Sequence, residues 1–168
     1  EINYRRFFDV NTLAGLRVED VGTFDAIHIL VKRLIAEDKL QGLRLDHIDG
    51  LRDPAQYFQR LRRLIGNAQG KKSKPFYVVI EKILGEGEKL VKLAGVHGTT
   101  GYEWLNTITQ VLVAENGLEP LDEIWRQVSN TAPKFDPVLK AATRRVRETQ
   151  LLSEVTVLPP TLARIPHR

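Results

Sequence analysis

Three side chains in this sequence have the types and spacing to do chemistry together: Arg44, Asp46 and Glu81. Arg44 and Asp46 stand two apart in Gly42-Leu43-Arg44-Leu45-Asp46, so on a strand they share one face while Leu43 and Leu45 take the other. A carboxylate beside a guanidinium keeps its charge at neutral pH, which a nucleophile or an electrostatic stabiliser requires. Glu81 closes the apolar run Phe76-Tyr77-Val78-Val79-Ile80, and a dry strand end suits a carboxyl that carries a proton. Two carboxylates on neighbouring strand ends, about 5 Å apart, are the equipment for retaining glycosyl transfer. One attacks the anomeric carbon; the other protonates the leaving oxygen and then activates the acceptor. The same residues also have plain structural uses: Arg-x-Asp on a strand is an ordinary ion pair, and Glu81 can pair with Lys82.

The elements that would position them are legible on either side. From Thr23 to about Lys39, apolar residues at Phe24, Ile27, Leu30, Val31, Leu34 and Ile35 have helical spacing, with Thr23 as cap and Asp25 in the first turn. His28 falls inside this pattern and reads as structural. A strand over about 42–48 follows. Asp53-Pro54-Ala55-Gln56 then starts a helix, since Asp caps, Pro fits the first helical position and Gln can close the box. Tyr57, Phe58, Leu61, Leu64 and Ile65 form its buried stripe, with Gly66 as its end. The β-branched run 76–80 predicts a strand buried on both faces. Strand, helix, strand within some forty residues is a βαβ unit with parallel strands, and the C-terminal ends of such strands are where α/β folds keep their chemistry.

Further along, 85–92 and His97-Gly98-Thr99-Thr100-Gly101-Tyr102 read as loops. Helices are predicted over about 102–114, 119–129 and 133–149, and Pro159-Pro160 is expected to interrupt any helix in the tail. At the N-terminus, Tyr4-Arg5-Arg6-Phe7-Phe8-Asp9 has no helical period. It is either a ligand-facing loop or a strand end that packs its phenyl rings, followed by a turn at Asn11–Gly15.

Composition excludes several function classes. The 168 residues suit one domain, and 42% apolar with 27% charged residues is ordinary for a globular protein. No apolar run approaches the roughly 18 residues of a membrane span. The opening Glu1-Ile2-Asn3-Tyr4-Arg5-Arg6 is no secretory signal, and cysteine is absent, so a cytoplasmic protein without disulfides or thiolate metal sites is expected. Methionine is absent even at position 1, which predicts a piece of a longer protein. The net charge of +4 comes partly from Arg60, Arg62 and Arg63 on the polar side of a helix and from Lys71, Lys72 and Lys74 in a loop, a solvated surface rather than a nucleic-acid site. His28, His47, His97 and His167 are dispersed without ligand spacing, and Gly85-Glu86-Gly87-Glu88 carries acid where a phosphate cradle needs a base. No metal or cofactor is expected.

Gly42-Leu43-Arg44-Leu45-Asp46 resembles the fourth-strand motif of the α-amylase clan of glycoside hydrolases, and Val79-Ile80-Glu81-Lys82-Ile83-Leu84 resembles its fifth-strand motif. With Tyr4–Phe8, the Asp46–Leu51 run and Gly98-Thr99-Thr100-Gly101-Tyr102, the resemblance narrows to the maltooligosyl trehalose synthase family and covers most of residues 1–155. It implies an α/β fold: part of a (β/α)8 barrel, about strands 3–5 with their helices, over residues 1–96, and a mostly helical insertion or subdomain over 97–168. It also implies conversion of the reducing-end α-1,4 bond of a maltooligosaccharide into an α,α-1,1 bond, without net hydrolysis.

In that scheme Asp46 is the nucleophile, Arg44 holds it and Glu81 is the acid/base. His47, Asp49, Lys82, Thr99, Thr100, Tyr102, Arg5 and Arg6 bind substrate, and the rest of the barrel is the partner. The family's earlier Asn-His motif and later His-Asp motif, with its third carboxylate, are not in this chain, so the 168 residues alone are expected to be inactive. Another clan hydrolase, a 4-α-glucanotransferase and a non-catalytic carbohydrate-binding module are the rival expectations.

Overall fold

A computed structural model describes residues 4, 6, 7, 9–72, 74–85, 87–131 and 134–165. The chain forms two compact units, one made of 16–113 and the other of 1–15 with 114–168.

The first unit holds the chemistry-bearing stretch. It begins with α1 (Val21–Ile27) and α2 (Ile29–Ala36), which replace the single helix expected from Thr23. Asp20, not Thr23, is the cap: its Oδ1 accepts the Thr23 N–H at 2.8 Å. The break falls at His28, whose ring is buried between helices. Its Nδ1–H donates to the Phe24 carbonyl at 2.7 Å, so Nε2 accepts the Tyr57 O–H at 3.0 Å. Burial pushes the Tyr57 phenol up to about 12.

Strand β3 (Gly42–Leu45) leads through the 3-10 turn Ile48–Gly50 to α3 (Pro54–Gln69) and then to β4 (Tyr77–Ile80). Asp53 caps α3 through the Gln56 N–H at 2.9 Å. Gly66 does not end α3; the helix runs on to Gly70, whose φ of 56° is the reversal that glycine adopts freely. β3 and β4 are parallel neighbours, in register from Gly42↔Tyr77 to Leu45↔Ile80. Gly42 is required by this pairing, because a Cβ there would lie 2.8 Å from the Tyr77 carbonyl oxygen.

A third strand, β5 (Gly98–Thr99), lies parallel to β4, pairing Val79↔Gly98 and Ile80↔Thr99, where only a loop was expected. After it, α4 (Tyr102–Leu112) begins at Gly101, which has φ 95°. The core is Phe24, Ile35, Ile48, Phe58, Leu61, Leu64, Ile65, Val78 and Ile80. It covers one face of the sheet only. Val78 and Ile80 are buried, whereas Tyr77 on the other face is exposed, so β4 is not buried on both faces as its composition suggests.

In the second unit, β1 (Arg6–Phe7) and β2 (Val10–Ala14) pair antiparallel, so Arg6–Phe7 is strand with the Phe7 ring exposed, and Asn11–Ala14 is strand rather than the expected turn. Helices α5 (Leu118–Ser129), α6 (Phe135–Glu148) and α7 (Leu152–Ala163) follow. α7 continues through Pro159 and Pro160. Each proline lacks the N–H that would bond the carbonyl four residues back, so α7 carries them at the loss of two backbone hydrogen bonds. The apolar stripes of α4 and α5, including Trp104, Ile108, Leu121 and Trp125, are exposed, and neither helix has a buried residue.

Candidate active site

Parallel pairing carries the two carboxylates to the same end of adjacent strands. Asp46 directly follows Leu45 and Glu81 directly follows Ile80, and those two residues are register partners. The Glu81 N–H donates to the Leu45 carbonyl at 2.8 Å, which extends the ladder to the residue that carries the acid. The apolar residues Leu43, Leu45, Val78 and Ile80 face the helices, and this leaves Arg44 and Asp46 on the uncovered face.

Arg44 Nε donates to Asp46 Oδ1 at 2.7 Å, as the two-residue spacing predicts. The bond to Asp46 raises the Arg44 guanidinium further above its ordinary value, with the charges of Asp46 and then Glu81 adding to it. Both side chains remain more than half exposed, at 56% and 60%, so the pair is open to a ligand and adds little to stability.

Glu81 is held differently. Its Oε2 accepts the backbone N–H of His47 at 3.1 Å, and its Oε1 accepts the Tyr102 O–H at 3.3 Å. Lys82 does not pair with it. The Lys82 ammonium lies 3.0 Å from Asp49 Oδ2 and 3.1 Å from Glu88 Oε1, and those bonds raise its proton affinity. Glu88 is held below the usual carboxylate range, first by the Gly85 N–H and then by Lys82. Lys82 thus ties the turn after β3 to the loop after β4, and the alternative of a plain Glu81–Lys82 pair is not realised.

The turn after β3 is tight. His47 has left-handed backbone angles, φ 53° and ψ 46°, and its ring lies against Gly50, where a Cβ would come within 2.7 Å of Cδ2. On the β5 side, the Thr99 hydroxyl donates to Glu103 Oε1 at 2.6 Å and accepts the Gly101 N–H at 3.2 Å, fixing the start of α4. The Thr99 bond lowers the Glu103 carboxyl. The Thr100 N–H donates to the Ile80 carbonyl at 2.9 Å, and its hydroxyl is buried with no partner among the described residues.

Of the expected site residues, Arg44, Asp46, His47, Asp49, Glu81, Lys82, Thr99, Thr100 and Tyr102 all belong to the first unit. Arg6 belongs to the second, where its guanidinium bonds Asn11 Oδ1 at 2.7 Å, the Gln150 carbonyl at 3.0 Å and Glu154 at 3.3 Å. Arg5 lies outside the described residues. Sequence reasoning missed Glu88 and Glu103. The capping-box spacing Thr100-x-x-Glu103 draws the eye to Glu103 but names the wrong hydroxyl, since Glu103 accepts from Thr99 and the helix cap is Gly101. Among the described residues no cluster of three or more His, Asp or Glu could hold a metal ion, and no helix is long and apolar enough to cross a membrane.

No protein-family model matches the chain. Two Mycobacterium tuberculosis proteins, from strains CDC 1551 and H37Rv and provisionally named maltooligosyl trehalose synthase, are each 46% identical to it over 119 residues. That is 70% of this chain but 14% of each relative, so the chain spans about a seventh of their length. Among solved structures, the maltooligosyltrehalose synthase of Arthrobacter ramosus superposes with a TM-score of 0.84 at 37% identity, covering 96% of this chain and 20% of that one. The DSM5389 glycosyltrehalose synthase gives 0.84 at 34% identity, covering 96% and 21%.

Proposed function

Because the chain belongs to the maltooligosyl trehalose synthase family over the length compared, we propose that it contributes the nucleophile and the acid/base of a retaining intramolecular transglycosylation. The observation that carries this reading is the placement of Asp46 and Glu81 one residue beyond the paired positions Leu45 and Ile80, at the C-terminal ends of parallel strands.

The substrate is a maltooligosaccharide bound with its reducing end over these strand ends. Asp46, steadied by Arg44, attacks the anomeric carbon of the penultimate glucose and forms a glycosyl ester as the α-1,4 bond breaks. Glu81 gives its proton to the departing O4. The freed glucose turns, Glu81 takes the proton from its anomeric hydroxyl, and that oxygen attacks the ester carbon. The result is an α,α-1,1 bond and a free Asp46 carboxylate. No water is consumed, so the pocket must exclude it. His47, Asp49, Lys82, Thr99 and Thr100 are the proposed substrate-binding residues at these strand ends. Lys82 and Asp49 act together, since they are bonded to each other.

The three-stranded parallel sheet fits a portion of a (β/α)8 barrel. Its uncovered face and the exposed stripes of α4 and α5 would be covered by further barrel segments of a longer, cytoplasmic chain. The 168 residues alone would therefore turn over no substrate.

The test uses the full-length protein with maltopentaose. A non-reducing trehalose-type product, made without net hydrolysis and abolished by Asp46→Asn or Glu81→Gln, supports the reading. Accumulating reducing ends would indicate a hydrolase. A constant reducing-end count without the trehalose-type bond would indicate a 4-α-glucanotransferase, and full function in both variants a binding module.

A further inference from the structure

A glutamate at a strand end does not have its carboxyl plane set by the strand, because the torsion to the carboxyl group is broad. Glu81 is constrained by two donors instead, one on each oxygen: the His47 N–H on Oε2 at 3.1 Å and the Tyr102 O–H on Oε1 at 3.3 Å. The donors come from opposite sides. His47 leads out of β3, and Tyr102 opens α4 just beyond β5. Each is itself placed by backbone geometry. His47 is held in left-handed conformation, while Tyr102 follows the Gly101 reversal, and the Thr100 N–H to the Ile80 carbonyl anchors that segment to β4 at 2.9 Å.

We infer that Tyr102 is a positioning residue for Glu81, forming with the His47 amide a two-point clamp that fixes the carboxyl plane through both proton transfers. This rests on the acid/base role proposed above for Glu81 and redefines Tyr102, which the resemblance implied only as a sugar contact. Each carboxylate oxygen has two lone pairs, and the clamp occupies one on each. The remaining lone pairs accept and release the travelling proton, so the clamp restrains the group without blocking its chemistry. Holding the carboxyl in one plane keeps the same oxygen in reach of O4 and then of the anomeric hydroxyl.

The experiment compares two substrates on full-length wild type, Tyr102→Phe and Glu81→Gln. Maltopentaose has a sugar leaving group that needs protonation. α-Maltosyl fluoride with added azide needs neither an acid for departure nor a base for attack, so its turnover reads Asp46 and substrate binding alone. The expected result for Tyr102→Phe is a fall in kcat on maltopentaose of about 10- to 100-fold with little change in KM, and fluoride release close to wild type. Glu81→Gln should show the same pattern more severely. A raised KM at unchanged kcat would overturn the inference in favour of direct sugar contact. An equal loss on both substrates would overturn it in favour of a folding role, and wild-type rates on both would show that the hydroxyl does nothing. If wild type makes no trehalose-type product, the functional reading fails separately, and the two-substrate comparison still tests the clamp on whatever transfer the enzyme performs.

Discussion

Gly50→Ala probes the tightest point of the candidate site. A Cβ at position 50 would stand 2.7 Å from His47 Cδ2 and 2.8 Å from Nε2, whereas ordinary contact starts at 3.4 Å. The imidazole must therefore move by several tenths of an ångström. His47 already sits at φ 53°, a strained conformation that costs a non-glycine residue about 1–3 kcal/mol, so pressure on the ring is relieved by a shift of its own backbone. Overpacking of this kind costs about 1–3 kcal/mol where the neighbours cannot relax. The catalytic effect is larger than the stability effect. The His47 amide reaches Glu81 Oε2 at 3.1 Å, close to the upper end of the hydrogen-bond range of about 2.7–3.2 Å, so a comparable displacement breaks that bond. A misplacement approaching 1 Å costs up to about 100-fold in rate, and a kcat loss of about 10- to 100-fold is expected. The assay is formation of non-reducing product from maltopentaose by the full-length protein. A double-mutant cycle with His47→Ala locates the cause: without the ring, adding Gly50→Ala should change kcat little. Wild-type kcat in Gly50→Ala, or an equal loss in both backgrounds, would refute the steric argument.

Three further outcomes follow from burial and charge. Ile80 is fully buried beside Glu81, so Ile80→Val should lower stability by about 0.5–1.5 kcal/mol and Ile80→Ala by about 2–5 kcal/mol, read as a shift in denaturation midpoint. Tyr57 should ionise near pH 12 in an ultraviolet absorbance titration, above its ordinary value of 10. Because its folded-state value is raised, the stability it contributes is complete below pH 10 and is lost as pH rises through 12, and a Tyr57→Phe variant should lack that alkaline loss. Glu88 is lowered by Gly85 and Lys82, so its contribution is present above its ordinary value of 4.5 and is lost as pH falls through its lower folded value. The protection of the Gly85 amide relative to an unstructured amide at the same pH should fall in that acid window, and Glu88→Gln should remove the transition.

The sequence by itself determined the parts whose cause is local. Asp53-Pro54 announces α3, because a cap and a fixed φ act within one turn. The β-branched run ending in Ile80 announces β4, and one helix between two strands makes them parallel. Arg44 and Asp46 meet because two residues on a strand always share a face.

What the sequence could not decide depends on partners distant along the chain. Gly98–Thr99 is too short to show a period and is a strand only because Val79 and Ile80 offer it a ladder. Gly66 reads as a helix end but stays helical, since Phe58, Leu61, Leu64 and Ile65 bury the stripe around it and Gly70 supplies the reversal. Pro159 and Pro160 read as breakers and yet lie inside α7. The residues around Arg6 left a ligand-facing loop and a strand end open, and the tertiary structure paired Arg6–Phe7 with β2 and bonded the Arg6 guanidinium to Asn11, Gln150 and Glu154. Asp46 and its arginine were legible in five residues. The grip on Glu81 was not, because it joins His47 and Tyr102, 55 residues apart, and only the pairing of three parallel strands brings their donors to one carboxyl group.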